Sequence, residues 1–315
     1  MSRNPLITIG ITCFNEGEWL RESWESILAQ DDDRWEALLI MDGTDHQKTI
    51  DVFNSLSHPS LRKMRMDVNS GNFPLINKCV SEARTPFYYI LDADDTLPSY
   101  AARLVIETFQ EHSEADFIFG DVKRFGAADD VMHFRPFDAD DLVDNWVCLI
   151  GASPYRKTLW EKVGGYAEEL ARGTGDLDFW IGSLEKGARG HYIPEIIYQQ
   201  RVREGESVSK KNPQDFARRF EIMVERHPSF FDVNNRRARF LHRGYSYAAR
   251  KFYGMGEWAK ARDLALKAKA LGLGVDRSVR KILFDTTLPA PIFKAKKFIG
   301  HLLRSARARL NGQQL

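Results

Sequence analysis

Cysteine is scarce: Cys13, Cys79 and Cys148 are the only three in 315 residues, far apart and with no CxxC pair. That scarcity excludes a disulfide framework and a cysteine-based zinc site, and it fits a reducing compartment. No apolar run approaches the ~18 residues a membrane span needs. The opening MSRNPLITIG is too short and too polar for a secretory signal, so the chain is expected in the cytoplasm. HExxH, an EF-hand loop, a Walker loop, GxSxG and a strand-linked GxGxxG are all missing, and the eight histidines are scattered. LGLGVD (271–276) lies in a helical stretch and lacks the third glycine. Any phosphate chemistry here has to rest on a metal and carboxylates.

What is present is ordinary in amount and uneven in distribution. Apolar residues make up 43% and charged residues 28%, as in soluble globular proteins. The net charge of +1 hides an asymmetry: residues 1–210 carry 22 Lys+Arg against 36 Asp+Glu, and residues 211–315 carry 23 against 8. Two structural units are expected, divided near residue 210, and the basic one calls for an acidic partner.

The first 120 residues alternate strand and helix patterns. LITIGITCF (6–14), WEALLIM (35–41), KMRMDV (63–68), FYYIL (87–91) and ADFIFGDV (115–122) read as strands. Helices are expected over 18–30, with Leu20, Trp24, Ile27 and Leu28 as the core stripe, over 73–83, and over about 98–112 with Pro98 in the first turn. Such alternation implies βαβ units and an α/β fold with a mostly parallel central sheet. From 123 to 210 the pattern breaks up around strand-like VMHFRPF and a helix expected over 177–187. After 210 it turns helical, with one tetratricopeptide-like hairpin joined at GMGEW. In the last stretch, APIFKAKKFIGHLLRSARARL, apolar residues share one helical face and lysines and arginines the others. Such a helix, over 291–310, suits an anionic membrane surface; the alternative is docking on its own domain. Nucleic acid is not expected, since the basic residues carry no reading motif.

FYYILDADDTLP (87–98) sets Asp92, Asp94 and Asp95 at the end of a buried strand. Ligands of open α/β sheets sit beyond such ends. Residues 92 and 94 of an extended chain point to the same side, and two carboxylates held that close repel unless a cation joins them. A hard divalent ion that also bridges substrate phosphates would remove the repulsion. Asp95 and Thr96 suit the competing role of capping the helix that follows.

The segments ITIGITCFNEGEWLRESWESILAQ, LLIMDGT, NSGNFPLINKCVSEARTPFYYILDADDTLP, KTLWEKVGGYAEEL and GDLDFWIGSLEKG follow one another in an order that resembles family 2 glycosyltransferases of the GT-A fold. The resemblance covers about residues 5–210. It implies a Rossmann-like domain that takes a nucleotide-diphosphate sugar donor and transfers the sugar with inversion to a saccharide or lipid-linked acceptor; the helical C-terminal region, 211–315, lies outside it. DAD (92–94) looks like the family's DxD, which makes Asp94 the ligand of Mn²⁺ or Mg²⁺ and places Asp92 at the donor. By the same resemblance Asp42 meets the base or ribose, and Thr12, Phe14 and Glu16 bracket the nucleotide beside Asn77. Asp176 becomes the catalytic base, Trp180 lines the acceptor site, and Arg201 or Arg203 faces the diphosphate. The competing role for Asp176 is N-cap of its helix, and Asp178 reads as a structural or surface carboxylate. The chain departs from the family pattern at Thr12 (usually Pro), Met41 (Asp), Ile76 (Arg) and Gly175 (Glu). The alternatives are a sugar-nucleotide nucleotidyltransferase, whose glycine-rich first loop TCFNEGEW lacks, and a catalytically silent nucleotide- or sugar-binding module.

Overall fold

A computed structural model describes residues 4–170, 173–204 and 215–287. The described residues up to 204, together with 225–233, form one compact unit; residues 215–224 and 234–287 form another.

In the first unit, β1 (Ile7–Cys13), β2 (Trp35–Asp42), β3 (Leu61–Met66) and β4 (Phe87–Asp92) run parallel in the order β3-β2-β1-β4. Every residue of β1 and β2 is buried, as central parallel strands covered on both faces must be. The covering helices are α1 (Trp19–Leu28), α2 (Gln47–Ser55), α3 (Asn72–Glu82) and α4 (Ala101–Glu111). Beyond β4 the sheet turns mixed. The two-residue β7 (Tyr155–Arg156) pairs antiparallel with β4 and with β5 (Phe117–Gly126), which carries β6 (Asp130–Met132) and, parallel to it, the long β8 (Gly190–Val202). Helices α5 (Ala139–Asp144), α6 (Lys157–Val163) and α7 (Gly175–Glu185) lie between these strands in the chain.

The expected α/β architecture is present, with local differences. The third strand is Leu61–Met66 rather than 63–68, and VMHFRPF contributes only the end of β6. Leu28 is 47% exposed and leaves the core stripe of α1, where Ser23 is buried instead. Helix α4 begins at Ala101, so Pro98 precedes it rather than entering its first turn. Tyr100 at the N-cap of α4 makes no capping bond, and the Ala102 N–H of its first turn donates instead to Gln30 Oε1 at 2.8 Å. Asp95 accepts from the backbone N–H of Arg201 (2.7 Å) and Thr96 pairs with Gln199, so the capping role expected of both is replaced by attachment to β8.

Helices α8 (Phe216–Arg226), α9 (Pro228–Phe231), α10 (Arg236–Met255), α11 (Trp258–Ala270) and α12 (Arg277–Asp285) complete the described chain. In the second unit Phe216 and Phe220 pack on Tyr247 and Phe240 of α10. Helix α10 ends at Gly256 in the left-handed conformation, and α11 follows through GMGEW, the hairpin expected there. Among the described residues no helix is long and apolar enough to cross a membrane. The basic amphipathic stretch 291–310 lies outside the described residues.

Candidate active site

A cleft of about 830 Å³ opens beyond the carboxyl ends of β1, β2 and β4. Sheet register makes it: Thr12 of β1 sits beside Ile40 of β2 on one side and Asp92 of β4 on the other. Each strand therefore delivers its last side chains to one place. Thr12, Phe14, Glu16, Asp42, Asp92 and Asp94 all line it, and β8 brings Arg201 and Arg203 to the same wall.

Most of these side chains are held by defined partners. Asp42 accepts from the N–H and Oγ of Ser70 (both 2.8 Å) and from the N–H of Gly71 (3.0 Å), which fixes the loop after β3 against the end of β2. Glu16 accepts from the N–H of Phe14 at 2.6 Å and curls the loop after β1, leaving the Phe14 ring partly exposed. Arg203 donates to Asp94 Oδ2 at 2.6 Å, and Arg201 Nε donates to the carbonyl of Asp94 at 2.8 Å. Arg201 also pairs with Glu22, and both guanidiniums lie over the Trp19 ring, 5.4 and 4.4 Å from its centroid. A cation over an aromatic face is attracted by the ring quadrupole, so Trp19 sets the height of both arginines.

The electrostatics are those of crowded negative charge. Burial pushes the Asp92 carboxyl well above the usual range, and the charges of Asp94, Glu16 and Asp176 push it further. Asp95 rises for the same reasons, burial first and then Asp92 and Asp94. Glu16 is raised by burial and by Asp94. Two arginines do not balance so many carboxylates, and a cation would relieve the remainder.

Asp176 lies beyond the cleft lining but close enough for its charge to reach Asp92. It is not an N-cap: α7 starts at Gly175 after Thr174, which puts Asp176 in the first turn with Oδ1 accepting from the N–H of Leu177. Burial raises its carboxyl above the ordinary range. Gly151 lies against it; a Cβ there would stand 3.0 Å from both Cβ and Oδ2 of Asp176. The Gly175 departure has a packing reason, because a Cβ at 175 would meet the Phe73 ring at 2.5 Å.

Two expected site residues are elsewhere. Asn77 turns inward: its Oδ1 accepts from Trp160 Nε1 (3.0 Å) and the Tyr166 N–H (2.8 Å), and its Nδ2 donates to the Tyr166 carbonyl (2.9 Å). Both its polar atoms are engaged in joining α3 to α6 and the turn after it. Trp180 is 3% exposed, packed among Phe117, Tyr155 and Phe179, and offers no surface to an acceptor. Conversely, Asn69, Asn72, Arg124 and Gln200 line the cleft without having been singled out in the sequence. The two asparagines sit in NSGN beside the quoted helix, a polar turn that could have been read as a ligand loop. Arg124 lies on the long end of β5 and is paired with Asp130, which nothing in the local pattern signals.

Among the described residues no group of three or more His, Cys, Asp or Glu side chains forms a self-sufficient metal cage. The crowded Asp92–Asp94 pair fits instead the type of ion that takes one or two protein carboxylates and completes its shell with phosphate and water.

Residues 8–162 match the model of the family described as glycosyl transferase family 2. A teichoic acid poly(glycerol phosphate) polymerase of Staphylococcus epidermidis is 32% identical over 105 residues, covering 33% of this chain and 15% of the polymerase. Some curated relatives are thus much longer than this chain, which spans 24% of another. Staphylococcus aureus TarS 1–349 in complex with UDP-GlcNAc superimposes with a TM-score of 0.68 at 16% identity, over 89% of this chain and 84% of that one. The mannosyltransferase PcManGT of Pyrobaculum calidifontis, in complex with GDP-Man and Mn²⁺, gives a TM-score of 0.57 at 16% identity, over 100% of this chain and 89% of that one. At such identities the likeness is one of fold.

Proposed function

We propose that this chain, which belongs to glycosyl transferase family 2, moves a sugar from a nucleoside-diphosphate donor to a hydroxyl acceptor with inversion at the anomeric carbon. One observation carries the reading. A single cleft at the strand ends collects an under-neutralised DxD pair and two arginines, with a buried carboxylate, Asp176, within electrostatic reach.

Asp94, with Asp92 beside it, would hold a Mg²⁺ or Mn²⁺ ion, which when bound neutralises charge on the leaving diphosphate. Thr12, Phe14, Glu16 and Asp42 surround the nucleoside. Arg203 exchanges its bond with Asp94 for a phosphate oxygen, and Arg201 supports it from the Trp19 face. Asp176 takes the proton from the acceptor hydroxyl as that oxygen attacks from the side opposite the diphosphate. A carboxyl raised by burial suits that task, since a base works best with a pKa nearer the working pH. The name of the teichoic acid polymerase relative supports a role in cell-surface polysaccharide or glycoconjugate synthesis, and the two donor complexes support a nucleotide-sugar donor. We place that work on the cytoplasmic side of the membrane, with the basic 291–310 stretch touching anionic lipid.

The test is a panel of UDP-, GDP- and dTDP-sugars with and without Mn²⁺, with product detection. Donor-dependent transfer that is lost in folded Asp94→Asn and Asp176→Asn variants is the expected result. Full transfer by either variant would sink the assignment.

A further inference from the structure

Helix α7 carries Asp176 near its start, and it is gripped at both ends by a short segment much later in the chain. The His227 ring, 6% exposed, places Nε2 3.1 Å from Asp178 Oδ1 and Nδ1 3.0 Å from Glu185 Oε2. Asp178 stands two residues after Asp176, and Glu185 is the last residue of the helix. Arg226 Nε meets both oxygens of Asp178 at 3.2 Å, and its Nη1 reaches Glu169. Ser229 Oγ (2.6 Å) and the Phe230 N–H (3.1 Å) both donate to Glu185. The ring fits because residue 182 is glycine: a Cβ there would sit 3.0 Å from His227 Cε1.

Both ring nitrogens face carboxylate oxygens, which only accept. A neutral imidazole has one N–H and would leave one contact as a repulsion between lone pairs, so the arrangement calls for a proton on each nitrogen. We infer that His227 is a positioning residue for the transfer reaction: an imidazolium bolt between Asp178 and Glu185 that locks α7 and thereby aims Asp176 at the acceptor. The inference rests on Asp176 being the base, as proposed above. Burial opposes the charge, but the hydrogen bonds and charges of Asp178 and Glu185 outweigh it and raise the imidazole above its usual range. The charged groups around the ring are Asp178 and Glu185 from α7 and the neighbouring Arg226, which is bound to the same Asp178.

The experiment uses the full chain and has two arms. The first needs no substrate. ¹⁵N-detected NMR of wild type should show both His227 nitrogens protonated at pH 6.5, and hydrogen exchange of α7 amides should be about tenfold faster in His227→Gln. A bare ring nitrogen at that pH, or unchanged α7 protection in the variant, would overturn the bolt. This arm stands even if the transferase reading fails, and the wild-type spectrum stands even if the variant does not fold. The second arm follows turnover of UDP-GlcNAc and GDP-mannose against pH, with the fraction of competent sites counted by Mn²⁺·UDP binding. Expected is a fall in kcat of about tenfold or more with KM held within about twofold and a full count of sites. The alkaline limb that wild type shows when His227 loses its proton should disappear in His227→Gln. An identical alkaline limb in both proteins, or a kcat that falls only with the count of sites, would reduce His227 to a fold-stabilising residue. Absence of any turnover in wild type would count against the transferase reading and leave the first arm to decide the bolt.

Discussion

Two places in this protein bury several carboxylates together, and they solve the problem in opposite ways. At the cleft, Asp92, Asp94, Asp95 and Glu16 crowd around two arginines, and burial with mutual repulsion pushes Asp92, Asp95 and Glu16 upward. Along α7, Asp178 and Glu185, with the exposed Glu169 at the edge, meet Arg226, His227 and Ser229, and Glu185 is held below its ordinary value, the bonds from Ser229 and His227 outweighing burial. The second cluster is closed by the chain itself. The first is left open, and an open cluster at a strand end is where an outside cation and ligand belong. Charge count alone does not separate a site from a scaffold; what supplies the counter-charge does.

The comparison can be broken by neutralising one carboxylate at a time. The largest effect is expected at Asp176: replacement by Asn should cost roughly 10³-fold in kcat with the fold intact, measured on the best donor of the panel. The acid limb of wild-type kcat should also lie above the pH expected of an ordinary carboxylate, because burial raises this group. Next, Asp178→Asn should cost about 2 kcal/mol in urea unfolding, since it removes the charge from one of the two carboxylates that hold each of Arg226 and His227. Asp92→Asn should do the reverse. Its folded value lies above its unfolded one, so its own contribution to stability falls as pH rises from about 4 towards neutrality, and the variant should lose that part of the slope and be the more stable protein at pH 8. Equal destabilisation by the two substitutions would erase the distinction between the clusters. A smaller effect, about tenfold in kcat at unchanged stability, is expected of Gly151→Ala, which nudges Asp176 by a few tenths of an ångström. The smallest concerns pH and the bolt. Because the folded value of His227 is raised, its contribution is complete below about pH 6.5 and is lost as pH rises through the folded value. The gap between the thermal midpoints of wild type and His227→Gln should narrow accordingly in alkaline buffer.

Features that depend on neighbours in the chain were legible. Apolar runs gave β1, β2 and β4 within a residue, and charge placed where a buried run stops marked Asp92 and Asp94, while Asp42 came from the family resemblance. What depends on distant partners was not. Asp95 and Thr96 have the chemistry of caps, but Arg201 and Gln199, over a hundred residues later, claim them. Asn77 has the chemistry of a ligand contact, but Trp160 and Tyr166 turn it inward. The family resemblance put Trp180 at the acceptor site, but it is buried by the packing of α7. Eight of its eleven residues are buried, so it has no wet face to present.

The segment that grips α7 belongs to the first unit, yet it is entered from residues 215–224 and left through residues 234–287, which belong to the second. The chain therefore crosses the border between units more than once. No single cut separates a self-contained catalytic module from a dispensable tail. A chimera spliced after Glu204 would keep every cleft residue named above and still discard the residues that hold α7 in place. Recombination at that point, in evolution or at the bench, should yield proteins that bind a donor and turn it over poorly.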